Sequence, residues 1–194
     1  MNSLKTLVAG LSFALIAGTA SAHEWAIDSG ASSVSFGSIK KDTVGESHTF
    51  TAVSGGIEHD GAATIVVGLG SVQTNIDIRN ERIGEHLFHN MASANVTGQI
   101  DVETLEALAV GEMAPVFVDA TLHLMGKDIG FDTPMMAIRL SETRAMVVSD
   151  GIAYISTEDM GIDGGIDMLM ELASLPGITR TVPITVRLVF DLQE

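Results

Sequence analysis

The sequence contains no cysteine, which removes disulfides, thiol nucleophiles and thiolate metal sites from consideration. Basic residues are also scarce: ten Lys and Arg stand against 25 Asp and Glu, a net charge of −15 with histidine neutral. Nucleic-acid binding depends on cationic contacts to phosphate, so this balance argues against nucleic acid and against anionic membrane surfaces as partners. Signatures of hydrolytic or nucleotide chemistry are lacking. There is no Gly-x-Ser-x-Gly elbow, and Gly68-Leu69-Gly70 does not open a helix as a phosphate loop would. Residues 159–167 are acidic but lack the alternating oxygens and closing Glu of a calcium loop.

Long apolar runs are absent apart from residues 7–17, broken only by glycine and serine and shorter than the roughly 20 residues that span a bilayer. Lys5 precedes that run and Thr19-Ala20-Ser21-Ala22 follows it, with small residues at the −3 and −1 positions of an Ala-x-Ala cleavage site. Residues 1–22 are thus expected to be a cleaved signal peptide, delivering the chain to the periplasm or the medium with no stable membrane insertion. No cysteine follows to carry a lipid anchor. Residues 23–194 are expected to form one acidic, soluble domain, in which loss of Lys5 leaves nine basic against 25 acidic residues, a net of −16. With 46% hydrophobic residues overall, the chain can bury a substantial core.

Period-two alternation dominates. Val182, Ile184, Val186, Leu188 and Phe190 share one face of a terminal strand, as do Val118, Ala120, Leu122 and Leu124 of an earlier one. Val72, Thr74, Ile76 and Ile78 alternate in the same way, with weaker patterns over residues 96–102, from Val34 to Phe36 and around Tyr154. Gly55-Gly56, Asp60-Gly61, Gly126-Lys127-Asp128 and Asp150-Gly151 read as turns between these runs. Many short strands with frequent turns predict an all-β barrel or sandwich. Two stretches break the pattern. Ile83, Leu87 and Phe88 have helical spacing within the polar segment 79–91, predicting a short helix or ordered loop. Met168, Leu169, Leu172 and Leu175 predict an amphipathic helix over 166–175, ended by Pro176-Gly177. These two elements would plug the barrel ends, or one would act as a methionine-bearing lid over a cavity.

The order of segments resembles the YceI-like family of lipocalin-like polyisoprenoid-binding proteins. The likeness runs through Trp25-Ala26-Ile27-Asp28 with Ser33-Val34-Ser35-Phe36, then Ser54-Gly55-Gly56-Ile57 and Ser71-Val72-Gln73-Thr74 with Arg79-Asn80-Glu81. It continues through His86-Leu87-Phe88, Leu122-His123-Leu124-Met125-Gly126 and the closing Val182-Pro183-Ile184-Thr185-Val186. Asn80 stands where the family has Asp, no Tyr-Pro pair precedes residue 94, and the Arg-x-Asp-Phe-Gly segment survives only as Glu158-Asp159-Met160-Gly161. The resemblance implies an eight-stranded antiparallel barrel with one or two short helices. It further implies a binding protein rather than an enzyme, holding an isoprenoid or other long-chain amphiphile such as a polyprenyl phosphate or an isoprenoid quinone. On that implication Trp25, Phe36, Phe50, Phe88 and Met168 would line or rim the cavity. Arg79 or Arg82, with His86 beside them, would meet the head group, since the arginine fork suits phosphate oxygens. Small residues such as Gly98, Ala120 and Gly130 would leave the interior open, and an extended ligand leaves room for a homodimer that shares it. No cofactor is required.

Histidine raises one alternative. Cleavage after Ala22 would make His23 an N-terminal residue whose amine and imidazole together chelate copper, given a further histidine from His48, His59 or His123. His86 and His89 share a spacing that binds zinc, but no third ligand stands at a recognisable offset, and a solvated polar face accounts for them.

Overall fold

The computed structural model describes residues 24–193; the expected signal peptide, His23 and Glu194 lie outside the described residues. The chain closes into an eight-stranded antiparallel barrel, with every barrel position following from inward rows of alternate residues. Strand β1 (Trp25–Ile27) and β2 (Ser33–Lys40) lie end to end along one edge of the last strand, β12 (Thr181–Leu192). Strands β3 (Val44–Phe50) and β4 (Val53–Ile57) pair with β2 and β1 respectively, so each couple is one bent barrel strand. Next come β5 (Ala62–Gly68), β7 (Ser93–Gln99), β8 (Met113–Leu124) and β9 (Lys127–Ser141), while the short β6 (Val72–Gln73) pairs antiparallel with the end of β3. Strands β10 (Arg144–Ser149) and β11 (Ala153–Ser156) complete the ring against the other edge of β12.

Helices cover both ends. At one, α2 (Val102–Ala107) buries Val102 and Leu105 beside Trp25, Ile57 and Phe190. Its start is fixed by Asp101, which accepts hydrogen bonds from the Thr104 amide (3.2 Å) and hydroxyl (2.6 Å). At the other end, α1 (Asp77–Arg82) runs into a π-helical turn (Ile83–Leu87), and α3 (Thr157–Met160) leads to α4 (Asp163–Leu172). Ile83, Leu87, Phe88, Met160, Ile162 and Ile166 bury there. Gly165 allows α4 to lie directly on the π-turn: a Cβ at that position would sit 2.5 Å from the His86 carbonyl oxygen.

Four sequence expectations are corrected. Gly55-Gly56 is no turn but the middle of β4; at Gly55 (φ +109°) a Cβ would meet the Thr64 carbonyl at 2.0 Å, so the neighbouring strand demands glycine. The alternation from Val72 to Ile78 yields strand only to Gln73, because Asn75 turns left-handed (φ +61°) and Asp77 opens α1. The pattern over 96–102 is strand to Gln99 and then helix from Val102. The helix expected over 166–175 begins at Asp163 and stops at Leu172, with Ser174 left-handed (φ +51°) ahead of Pro176.

Candidate functional site

A cavity of about 240 Å³ occupies the barrel between the two capped ends. Its wall is built by the inward rows of the strands, among them Ile65, Val96, Leu122, Phe131, Ile184 and Val186, and by Leu87, Met160 and Ile166 from the helical end. Gly98 and Ala120 contribute to this wall and keep it wide. Gly130, expected to do the same, does not line the cavity, and a Cβ there would meet nothing within 4 Å.

Two of the few polar groups on the wall are engaged with the backbone, and Thr97 meets His123. Ser149 Oγ accepts from the Val186 amide at 2.8 Å, and Thr179 Oγ1 accepts from the Ile39 amide at 3.2 Å. Thr133 Oγ1 is buried without a partner among the described residues. Ser38 Oγ lies 3.2 Å from His48 Nε2.

The structure brings three of the expected ligand residues together. Phe36 and Phe50 stack at 5.1 Å between ring centroids, Phe88 tilts on Phe50 at 6.1 Å, and all three line the cavity. Register explains the first pair, since β2 and β3 place Val34 opposite Phe50 and Phe36 opposite His48. Trp25 is fully buried elsewhere, at the end covered by α2, with the Arg139 guanidinium 5.0 Å over its ring, and does not line the cavity. Arg79 is committed to Glu46 through both Nη atoms (3.1 and 3.3 Å), and Lys40 meets the same carboxylate at 2.9 Å. Although partial burial works against ionisation, Lys40 and Arg79 hold the Glu46 carboxyl below the ordinary carboxylate range. Arg82 donates to the Leu172 carbonyl at 3.5 Å, tying the end of α1 to the end of α4. His86 and Met168 do not line the cavity but a neighbouring hollow with His89, Gly161 and Gly164, and Leu87 and Ile162 form the wall between the two.

Sequence reading missed the polar row that continues the aromatic one. Ser38 stands two residues beyond Phe36 on β2, and His48 and Glu46 stand two and four residues before Phe50 on β3. The same period-two rule that selects the phenylalanines selects them. Burial, followed by the nearby Arg79 charge, pushes the His48 imidazole below its ordinary pKa, so it stays neutral at neutral pH. Its Nδ1 is buried and has no partner among the described residues. Two other histidines have local partners: His59 Nδ1 meets Glu24 at 2.8 Å, and His123 bridges Thr97 (2.9 Å) and Asp128 (2.7 Å). Among the described residues no three His, Asp or Glu side chains are grouped to hold a metal ion, and no helix is long and apolar enough to cross a membrane.

Comparison with solved structures gives the barrel its relatives. A polyisoprenoid binding domain from Saccharophagus degradans implicated in plant cell wall breakdown superposes with a TM-score of 0.85 and 39% sequence identity. The match covers 89% of this chain and 100% of that one. The chain belongs to the YceI-like family. BcnA from Burkholderia cenocepacia has the same fold at 17% identity, with a TM-score of 0.63 over 84% of this chain and 98% of its own. No protein-family model and no curated protein matches the sequence. The YceI-like barrel thus carries an apolar chamber, with aromatic and then polar residues following one another along β2 and β3.

Proposed function

We propose that this protein is an exported carrier that holds an isoprenoid or a similar long-chain lipid inside its barrel, and that it is not a catalyst. The observation that supports this most is the chamber itself. An engineered apolar cavity of about 150 Å³ stays dry and takes up benzene, and the chamber here is larger at about 240 Å³. Each CH₂-sized group moved from water onto such a wall gains roughly 0.8 kcal/mol, so a prenyl chain needs few polar contacts to bind. The 39%-identical relative is a polyisoprenoid binding domain, which supports the same ligand class here. Transport, storage or shielding of the lipid in the periplasm is the role consistent with an expected signal peptide.

The test is native mass spectrometry of the exported protein, followed by organic extraction. One extractable prenyl adduct supports the carrier reading. A bare protein mass, with no uptake of offered prenyl lipids, sinks it. An Ala120→Leu variant, which projects added volume from a buried wall position, is expected to retain the fold and take up less lipid.

One observation favours a second reading, copper binding at the amino terminus. The His59 ring stands 2.8 Å from the carboxylate of Glu24, the residue bonded to His23. Unchanged Cu(II) absorption after insertion of an alanine before His23, or in His59→Ala, would remove it.

A further inference from the structure

We propose that Ser38 is the polar anchor of the cavity, its hydroxyl donating a hydrogen bond to an acceptor oxygen on the ligand head group, with His48 as the positioning residue that frees that proton. The inference rests on the lipid-binding reading above and adds the chemistry of the head.

His48 is 5% exposed and packs against Phe36 at 5.2 Å between ring centroids. Of its two ring nitrogens, Nε2 faces Ser38 Oγ at 3.2 Å, and Nδ1 is buried with no partner among the described residues. A neutral imidazole has one N–H and one lone pair. An orphaned buried N–H is rarer than an under-satisfied acceptor, so the proton belongs on Nε2 and the bare lone pair on Nδ1. Nε2–H then donates to Ser38 Oγ, and the serine proton has to point elsewhere. Ser38 lines the cavity and has no second hydrogen-bond partner among the described residues. A hydroxyl proton facing an apolar chamber without an acceptor is an unmet donor, and a ligand oxygen satisfies it.

The surroundings narrow the head group further. Glu46 faces Ser38 across the β2–β3 ladder, and both nearby cations, Lys40 and Arg79, are already bound to it. A cationic amine would meet no free counter-charge there, because two cations already match Glu46. An oxygen acceptor, whether a quinone carbonyl or a phosphate oxygen, fits the donor.

The test compares three prenyl probes matched in chain length on the delipidated exported protein: a prenyl quinone, a prenyl monophosphate and a prenyl hydrocarbon with no head group. Ser38→Ala is expected to weaken an oxygen-headed probe by about three- to tenfold, the worth of one hydrogen bond, and to leave the hydrocarbon unchanged. Ser38→Thr, which keeps the hydroxyl, is expected to restore binding. Loss with the quinone alone assigns a carbonyl head, and loss with the phosphate alone assigns a phosphate head; either supports the proposal. Equal effects on all three probes, or none, overturn the anchor while leaving lipid binding intact. Failure of the unaltered protein to bind any probe overturns both readings. Nitrogen-15 chemical shifts of the His48 ring test the positioning role separately: protonation at Nε2 is expected, and protonation at Nδ1 overturns it.

Discussion

Arg144 and Asp191 are joined by a two-pronged contact, Arg144 Nη1 donating to Oδ1 at 2.7 Å and to Oδ2 at 2.9 Å. The other guanidinium nitrogen donates to Asp28, so one arginine on β10 ties the first barrel strand to the last. The Arg144 hydrogen bond is the main reason the Asp28 carboxyl is held below its ordinary range; partial burial opposes it, and the Gly30 and Ala31 amides add to it. A carboxyl with a depressed folded pKa contributes stability above its unfolded pKa and loses it as the pH falls through the lower folded value. Arg144→Gln is therefore expected to lower thermal stability at neutral pH and to flatten its decline in acid. Melting curves measured from pH 7 into the acid range check both.

Gly164 and Gly165, adjacent on α4, are expected to respond in opposite directions to alanine. A Cβ on Gly165 would meet the His86 carbonyl oxygen at 2.5 Å and Leu87 Cα at 2.9 Å, backbone atoms that cannot rotate away. Gly165→Ala should cost about 1–3 kcal/mol by forcing α4 off the π-turn. At Gly164 a Cβ meets nothing within 4 Å, and alanine should gain about 0.5–1 kcal/mol. Denaturant midpoints of the two variants provide the comparison.

Thr133 buries its hydroxyl on the cavity wall without a hydrogen-bond partner among the described residues. Thr133→Val keeps the branched shape and removes the unmet polar atom, so the ligand-free protein is expected to gain about 1 kcal/mol. Calorimetric unfolding after delipidation is the measurement. A loss of stability would mean that a water or ligand atom satisfies the hydroxyl.

Two histidines should titrate on opposite sides of the ordinary imidazole value. His48 is pushed down, first by burial and then by the charge of Arg79, with Lys40 acting the same way and Glu46 opposing. Its share of stability is present above the unfolded pKa and is lost as the pH falls below it. His59 is raised by its hydrogen bond to Glu24 and by that carboxylate's charge. That contribution is present below the unfolded pKa and disappears as the pH rises through the folded value. Proton–nitrogen spectra across the range from pH 5 to pH 8 distinguish the two rings.

Particular residues explain what was legible from sequence. Strands β8 and β12 declared themselves because each keeps an unbroken apolar row, Val118 to Leu124 and Val182 to Phe190, and those rows face the barrel interior. Helix α2 went unread, because the apolar alternation into Val102 hid the helix-start pair of Asp101 and Thr104. The run ending at Ile78 misled because Asn80 Oδ1 accepts from both the Thr74 amide (2.9 Å) and hydroxyl (2.7 Å), tertiary bonds that turn the chain away from β geometry. Convergence of Phe36, Phe50 and Phe88 depended on strand register and on the helical cap, which periodicity alone does not supply. The resemblance implied that Trp25 would line or rim the cavity, yet its ring is buried at the end covered by α2, away from Phe36, Phe50 and Phe88.

The ring is sealed by the two extremes of the domain: Trp25 lies opposite Leu192, and Ile27 opposite Phe190, in one antiparallel ladder. Closure therefore waits for the final strand, and a chain emerging from an export channel amino terminus first has no complete barrel until its last residues arrive. Such long-range pairing slows folding. On the export proposed above, that delay keeps the chain threadable until it has crossed, and the absence of cysteine leaves no disulfide to form afterwards.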